Sequence, residues 1–344
     1  MPDTLVLSRG DVAALLDARS CRAAVEQAFR RHGQGLAVPP GVLGYHAPGG
    51  GFHVKVGESR AGLAPFVAVK TNANFPLNPG RGLPTVQGLI QVFDLGTGVP
   101  IAVMDSIEIT ILRTAAATAV AATYLAREGA SVLTVIGCGV QGRAHIRALQ
   151  EVRPIERVQL WDVDGSACAR LAAELAGEAC PDVTILEDLA AGVRHSDLVV
   201  TCTPSTRPIL QAAWVAPGSF VAGVGADAED KHELDPDLLA SSKVVADVLD
   251  QCVSIGDLHH ALAAGVMRRE DAHAEIGQIV AGLRPGRTTD AETFVFDSTG
   301  MALQDAAACA VVIQRAREKR RGFHLDFSTT NPFTPGGSHE VDHT

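Results

Sequence analysis

The sequence predicts an α/β fold built on a doubly wound parallel sheet. Three observations carry that expectation. From residue 131 onward, short apolar runs alternate with helical segments, the pattern of a parallel sheet covered on both faces. One of these runs leads into a glycine-rich turn and a helix, Gly137-Cys138-Gly139-Val140-Gln141-Gly142. The first third reads differently, as short alternating strands broken by Asn, Pro and Gly, which suits an antiparallel sheet. With 344 residues, the chain has room for two domains at roughly 150 residues each.

The elements follow in order. Residues 11–36 place Val12, Leu15, Leu16, Val25 and Phe29 at helical spacing, with Asp11 as cap and Gly33 and Gly35 as stops. Pro39, Pro40 and the glycines after them read as turns between short strands. Residues 52–56 and 66–70 alternate like strands, and residues 72–84 are a loop. Residues 85–93 and 99–104 are strands joined by a turn through Asp94, Gly96 and Gly98. Residues 106–126, Ala-rich and free of Gly and Pro, form a long helix. Strands then fall at 131–137, 157–163, 182–186, 197–202, 219–225 and 243–248, mostly with helices between them. Residues 255–283 read as helical surface, 294–296 as another strand and 301–317 as a final amphipathic helix. Residues 323–344 lack periodicity and read as a loose tail.

Composition removes several function classes. Net charge is −10, from 29 basic and 39 acidic residues, which argues against a nucleic-acid partner. No apolar run approaches the ~20 residues of a membrane span, and Asp3 with no apolar stretch behind it argues against a signal peptide. The seven cysteines form no C-x-x-C pair and read as reduced thiols of a cytoplasmic protein. No metal is expected, because His259, His260 and His273 lack partners at ligand spacing.

The glycine turn carries the sharpest chemistry. It follows the strand Val132 to Ile136 and opens a helix, and Asp162 stands at the end of the next strand, 25 residues after Gly137. That is the Rossmann dinucleotide-binding context. Gly137 permits the tight turn, Gly139 lets the backbone approach a diphosphate, and Gly142 lets helix and strand close up. The helix N-terminus at Val140 and Gln141 offers its free N–H groups to that diphosphate. Asp162 suits the adenosine ribose hydroxyls and repels a 2′-phosphate, so NAD is expected. Arg143, beside it, keeps NADP open.

Other polar residues stand where polarity is costly. Lys70 ends an apolar strand, where a cation needs a partner. Arg113 sits among apolar residues of the long helix, and its planar guanidinium suits a carboxylate. Asp227 follows the strand ending at Gly225, at the edge of a parallel sheet where ligands bind. These residues lie in longer motifs: Gly82-Leu-Pro-Thr85, Asp105, Ser106 to Thr118, Gly225 to Leu234, and Phe296-Asp-Ser-Thr-Gly300. Together with the glycine turn they resemble the ornithine cyclodeaminase/mu-crystallin family over residues 5–320, the last third being most similar to its archaeal alanine dehydrogenases.

The resemblance implies a homodimer of two-domain subunits. Residues 1–113 and 301–322 would form a discontinuous α+β substrate-binding and dimerisation domain, and residues 114–300 the NAD(P)-binding domain. It implies that Lys70 and Arg113 hold the substrate carboxylate, with Lys70 also assisting proton transfer. It makes Asp227 the catalytic acid or base, which would need a pKa raised by burial against the pull of nearby lysines. It places Thr85, Arg113, Thr114, Thr203, Val224, Lys231 and Ser298 around the cofactor. One departure stands out, since Gly41 occupies the place of a clamping Arg found in cyclodeaminases. Lys55 is either a replacement cation, with His53 pointing the same way by the period of two, or an exposed edge-strand lysine.

The implied activity is an NAD(P)-dependent oxidoreductase that moves hydride at the α-carbon of a small amino acid or its linear or cyclic imine. The alternative is an ornithine or lysine cyclodeaminase, which releases ammonia and regenerates NAD in the site. A non-catalytic crystallin-type binder is a remoter reading.

Overall fold

The computed structural model describes residues 3–60, 64–176 and 182–327. The chain opens with strand β1 (Thr4–Leu7) and helices α1 (Arg9–Leu15) and α2 (Ala18–Gly33). The single expected helix is thus two. Asp17 accepts from the Ser20 N–H and starts a second helix in mid-run. Asp11 is not the cap of the first: Ser8 is, and Asp11 closes a capping box by accepting the Ser8 N–H.

Next come β2 (Gly41–Ala47), β3 (Gly50–Ser59), β4 (Phe66–Asn74), β5 (Val86–Asp94) and β6 (Pro100–Asp105). The β2–β3 hairpin turns at Gly49, whose φ of +82° favours glycine. β4 runs on to Asn74, three residues into the expected loop. Its extra length comes from pairing on both sides, with β3 and β5. These strands form one seven-stranded sheet in the order β17-β1-β6-β5-β4-β3-β2, antiparallel except for β1 on β6. The last strand to join, β17 (Phe323–Leu325), comes from the segment expected to be a loose tail. Pairing with β1 orders those residues. Residues 328–344 of the expected tail lie outside the described residues.

Helix α3 (Ile107–Leu125) leads to the second sheet and is buried nearly all round. Its alanines, Ala115 to Ala117 and Ala119, Ala121 and Ala122, let neighbouring backbones approach. It begins six residues before the expected domain boundary, so the helix bearing Arg113 belongs to both halves. The order continues β7 (Val132–Ile136), α4 (Val140–Gln150), β8 (Arg157–Trp161), α5 (Gly165–Ala176), β9 (Asp182–Ile185), α6 (Leu189–Val193), β10 (Leu198–Thr201), β11 (Thr206–Leu210) and β12 (Phe220–Gly223). After β13 (His232–Leu234), α7 (Pro236–Ala240), β14 (Lys243–Ala246) and α8 (Leu249–Ile255), the segment 255–283 expected as helical surface divides into α9 (Asp257–Ala263), β15 (Ala274–Glu275) and α10 (Ile276–Val280). Gly256 and Gly265 punctuate it, the latter at φ +70°, and β15 is drawn out as an edge strand by pairing with β14. β16 (Phe294–Asp297) and α11 (Ala302–Lys319) complete the order.

The second sheet is wholly parallel, in the order β15-β14-β16-β12-β10-β7-β8-β9. β7 is flanked by β8 on one side and β10 on the other, so the winding reverses there, and ligands bind outside the carboxyl ends at such a point. The strands β10, β12 and β16 are buried throughout, as a doubly covered parallel sheet requires. α11 returns across the molecule and packs on α2, α3 and β3, which brings the C-terminal chain to the face of the first sheet.

Candidate active site

Strand register assembles one wall. Lys55 on β3 pairs with Lys70 on β4, and His53 pairs with Asn72 one row further along. These alternate residues face inward from the sheet. The opposite wall is the carboxyl edge of the parallel sheet. Between them lies a cavity of about 280 Å³ that gathers His53, Lys55, Lys70, Arg113, Thr114, Gln141, Thr203, Val224, Asp227, Lys231 and Ser298. Asn72, Asn74, Thr110 and Gly300 also line it. Thr85 does not; its carbonyl accepts the Phe75 N–H, and its neighbour Val86 takes the lining position.

The glycine turn lies alongside. Gly139, Val140 and Asp162 line a second hollow, next to Cys138 and Arg143. Gly137 adopts φ +106°, and a Cβ at Gly142 would lie 2.2 Å from the Gly137 carbonyl, so these positions demand glycine. At Gly139 the direction of a Cβ is open space, where a ligand can approach the backbone. The Asp162 carboxylate accepts the Cys138 N–H at 2.8 Å and the Asp164 N–H at 2.9 Å. Arg143 is paired with Glu174 at 2.8 Å.

The cations are held by partners that sequence reasoning did not name. Lys55 is buried, not an exposed edge lysine: β2 pairs outside β3, and the face bearing Lys55 packs against Thr299 and Gly300. Its Nζ donates to the carbonyls of Thr299 (3.0 Å) and Gly300 (2.6 Å). Lys70 Nζ lies 2.8 and 2.7 Å from the two oxygens of Asp305. Arg113 donates from Nε to Asp305 (3.0 Å) and from Nη1 to the Gln304 side-chain oxygen (2.8 Å). Gly300, at φ +79°, lets this guanidinium pass: a Cβ there would stand 2.4 Å from it. The signal available in sequence was Gln304-Asp305, a polar pair in the apolar first half of α11.

Electrostatics follow from burial. Burial, opposed by Asp305 and reinforced by Arg113 and Lys55, pulls Lys70 down to about 7. Burial also lowers Lys55, with Arg113 adding to it, and lowers His53. Asp227 goes the other way from expectation. Burial works to raise it, but the ion pair with Lys231, and then Lys55 and His53, hold it below the usual carboxylate range. Lys231, expected at the cofactor, is engaged by this pair.

Behind the cavity sits a group of buried acids. Glu233 accepts from the Thr203 N–H and hydroxyl, the Thr201 hydroxyl and the Gly225 N–H, fixing the loops after β10 and β12. Asp247 accepts from the Thr299 hydroxyl and the Gly300 N–H, and lies 3.5 Å from the Ser298 hydroxyl. Asp257 accepts the Glu233 and Leu234 N–H groups, and Asp297 accepts the Leu258 N–H. Burial raises Glu233, pushes Asp257 well up and brings Asp297 to about 7. A raised carboxyl binds its proton in the folded state, so its contribution to stability is lost as pH rises from about 4 through 7. Asp297→Asn mimics the protonated form. Its melting temperature relative to the wild type is expected to improve between pH 5 and pH 8, by an amount on the order of a few degrees, and a pH-independent difference in calorimetry would contradict it.

Among the described residues, no group of three or more His, Cys, Asp or Glu is placed to hold a metal ion. His260 instead stacks on His232 with centroids 3.8 Å apart.

Comparison with known proteins gives matches over nearly the whole chain. A family model described as Ornithine cyclodeaminase/mu-crystallin family matches residues 2–320. An alanine dehydrogenase of Archaeoglobus fulgidus is 38% identical over 331 residues, covering 94% of this chain and 99% of that protein. A solved archaeal alanine dehydrogenase dimer with bound NAD superposes with a TM-score of 0.90 at 36% identity, covering 95% of this chain and all of that one. The Thermococcus litoralis Δ1-pyrroline-2-carboxylate reductase, solved with NADH and L-proline, gives 0.88 at 29% identity, over 94% of this chain and all of that one. By its whole-length match, its glycine turn and the cleft between its two sheets, the chain belongs to the ornithine cyclodeaminase/mu-crystallin family.

Proposed function

We propose that this protein is an NAD-dependent oxidoreductase that interconverts a small amino acid and its 2-imino acid. One observation carries the reading: three buried cations, Lys55, Lys70 and Arg113, line a cavity at the carboxyl edge of a dinucleotide-type sheet, where Lys70 and Arg113 share the one carboxylate of Asp305 and Lys55 is held by backbone carbonyls. That surplus of positive charge calls for a ligand carboxylate.

The residues fit NAD. Gly139 leaves the backbone open where a diphosphate would lie, the free N–H groups of α4 face it, and Asp162 ends the next strand. When bound, NAD supplies or accepts the hydride. Lys70 and Arg113 orient the substrate carboxylate, with Lys55 as a third cation. Lys70, with a proton affinity near neutrality, passes a proton to or from the imine nitrogen. Asp227 is ionised in the free protein and accepts a proton from the substrate ammonium in the oxidative direction. Thr203 and Ser298, anchored by Glu233 and Asp247, shape the nicotinamide end. With Arg143 held by Glu174, Asp162 decides the cofactor in favour of NAD. Asp162→Ser is expected to narrow the NADH-over-NADPH ratio of kcat/KM by about tenfold, or about 1.4 kcal/mol; a wild type preferring NADPH would overturn the assignment.

The exposed face of the first sheet, with Leu43, Tyr45, Phe52, Val56 and Leu89 open, is the surface on which we place a second copy of the chain. Light scattering reads that directly. The free thiols of the described cysteines suit the cytoplasm, and no described helix is long and apolar enough to cross a membrane.

The deciding experiment follows absorbance at 340 nm with NADH, a panel of 2-oxo acids plus ammonia or methylamine, and cyclic imines. Oxidation of NADH supports the reading. Ammonia release from ornithine or lysine without net change in NADH selects the cyclodeaminase instead, and no turnover with any of these favours a binder.

A further inference from the structure

We propose that Asp305 is the positioning residue of this site: one buried carboxylate that sets Lys70 and Arg113 side by side for the substrate and keeps Lys70 an ammonium. The proposal rests on the carboxylate-binding reading above and assigns a role to a residue that lies outside the cavity lining.

The geometry is specific. Lys70 lies on β4 and Arg113 on α3, while Asp305 arrives on α11, 235 and 192 residues away along the chain. Its Oδ1 accepts from both Lys70 Nζ and Arg113 Nε, so the two cations meet at one atom. Two cations so close repel unless an anion lies between them. Asp305 is 1% exposed, which makes the attraction strong and leaves the carboxylate no water to exchange for. Gln304, its neighbour on α11, takes the Arg113 Nη1. With Nε and Nη1 tied to α11, the guanidinium plane is fixed, and both cations still line the cavity.

The same contact governs the proton on Lys70. Burial, Arg113 and Lys55 all favour the neutral amine, and Asp305 opposes them. Replacing Asp305 by a neutral isostere removes the one close anion. Lys70 then releases its proton at lower pH, and the site loses a cation at neutrality. At acidic pH, where Lys70 stays charged, the loss is smaller, because the carboxylate no longer competes with a bound anion. A group that serves only as scaffold would weaken binding equally at every pH.

The test uses the full chain with NADH bound and oxamate, a carboxylate that cannot turn over, titrated calorimetrically from pH 6 to pH 9. For Asp305→Asn, oxamate affinity is expected to fall about tenfold or more at pH 8, with the loss shrinking towards pH 6. The midpoint of its pH dependence should move to the acid side by about one unit, within the usual range for a lost charge partner. A loss that is equal at all pH values, or no loss, overturns the proposal. Should Asp305→Asn fail to fold, Asp305→Glu carries the test. It keeps the charge but displaces it by one methylene, so the midpoint should stay at the wild-type value while affinity falls; an unchanged affinity, or a midpoint moved to the acid side as far as in Asp305→Asn, overturns the proposal. Failure of the functional reading is separable. A wild type that binds oxamate but turns over no 2-oxo acid or imine refutes the oxidoreductase and leaves the Asp305 result standing. A wild type that binds no oxamate overturns both.

Discussion

Asp227→Asn lowers kcat by about 10²-fold or more, the usual scale for acid–base catalysis, and leaves NADH affinity nearly unchanged. Asparagine keeps the shape of the side chain and an oxygen that accepts from Lys231, so the loop after β12 holds its place. What it removes is the titrating carboxylate. Because Lys231, Lys55 and His53 hold Asp227 below the usual carboxylate range, it is the base form that exists through neutrality. The rate of amine oxidation therefore falls as pH drops through its pKa, and that acidic limb should vanish in the mutant. The limb near pH 7 belongs to Lys70 and should remain. A mutant that keeps most of its kcat and both limbs would move the proton to Lys70 or water, and would weaken the cyclodeaminase alternative most.

Arg113→Ala costs about 2–4 kcal/mol in kcat/KM, the loss of a charge-assisted bidentate contact, without abolishing NADH binding. The side chain sits between Asp305, Gln304 and Gly300, so its removal also leaves Asp305 with Lys70 alone. Arg113→Lys should recover only part of the loss, since one ammonium cannot satisfy both α11 partners and still present a planar edge to the cavity. Stopped-flow turnover together with NADH fluorescence titration separates the effects. An Arg113→Ala protein with near-normal kcat and KM would make this arginine a strut between α3 and α11.

The parallel half of the molecule was legible because its signals are local. Apolar runs, a glycine turn and an acid at the next strand end all lie within about thirty residues, the span of one βαβ unit. The misreadings share the opposite property. β1 and β17 are short, and each depends on a partner at the other end of the chain. The break between α1 and α2 hid in Leu15-Leu16-Asp17, where apolar residues continue across a cap. Whether Lys55 is buried or exposed turned on β2, which makes β3 an inner strand, and on Thr299 and Gly300, which meet its face from 244 residues or more away. The sign of the Asp227 shift turned on Lys231 winning over burial, a contest that composition does not decide. Asp305 went unnoticed because its meaning lies in two cations that the fold, and not the sequence, brings to it.

The closing of the first sheet by both chain ends has a consequence for the order in which the protein becomes competent. During synthesis, segments fold as they emerge, N-terminal first. A nascent chain that has reached Asp297 already owns every strand of the eight-stranded sheet and the glycine turn. It also carries Lys55, Lys70 and Arg113, but neither the carbonyls that hold the first nor the carboxylate that reconciles the other two. Asp305 reaches Lys70 and Arg113 only with α11, the last helix to be made. The strands of the parallel sheet are thus all made before the anion that joins those two cations, so the order of synthesis completes the cation cluster last.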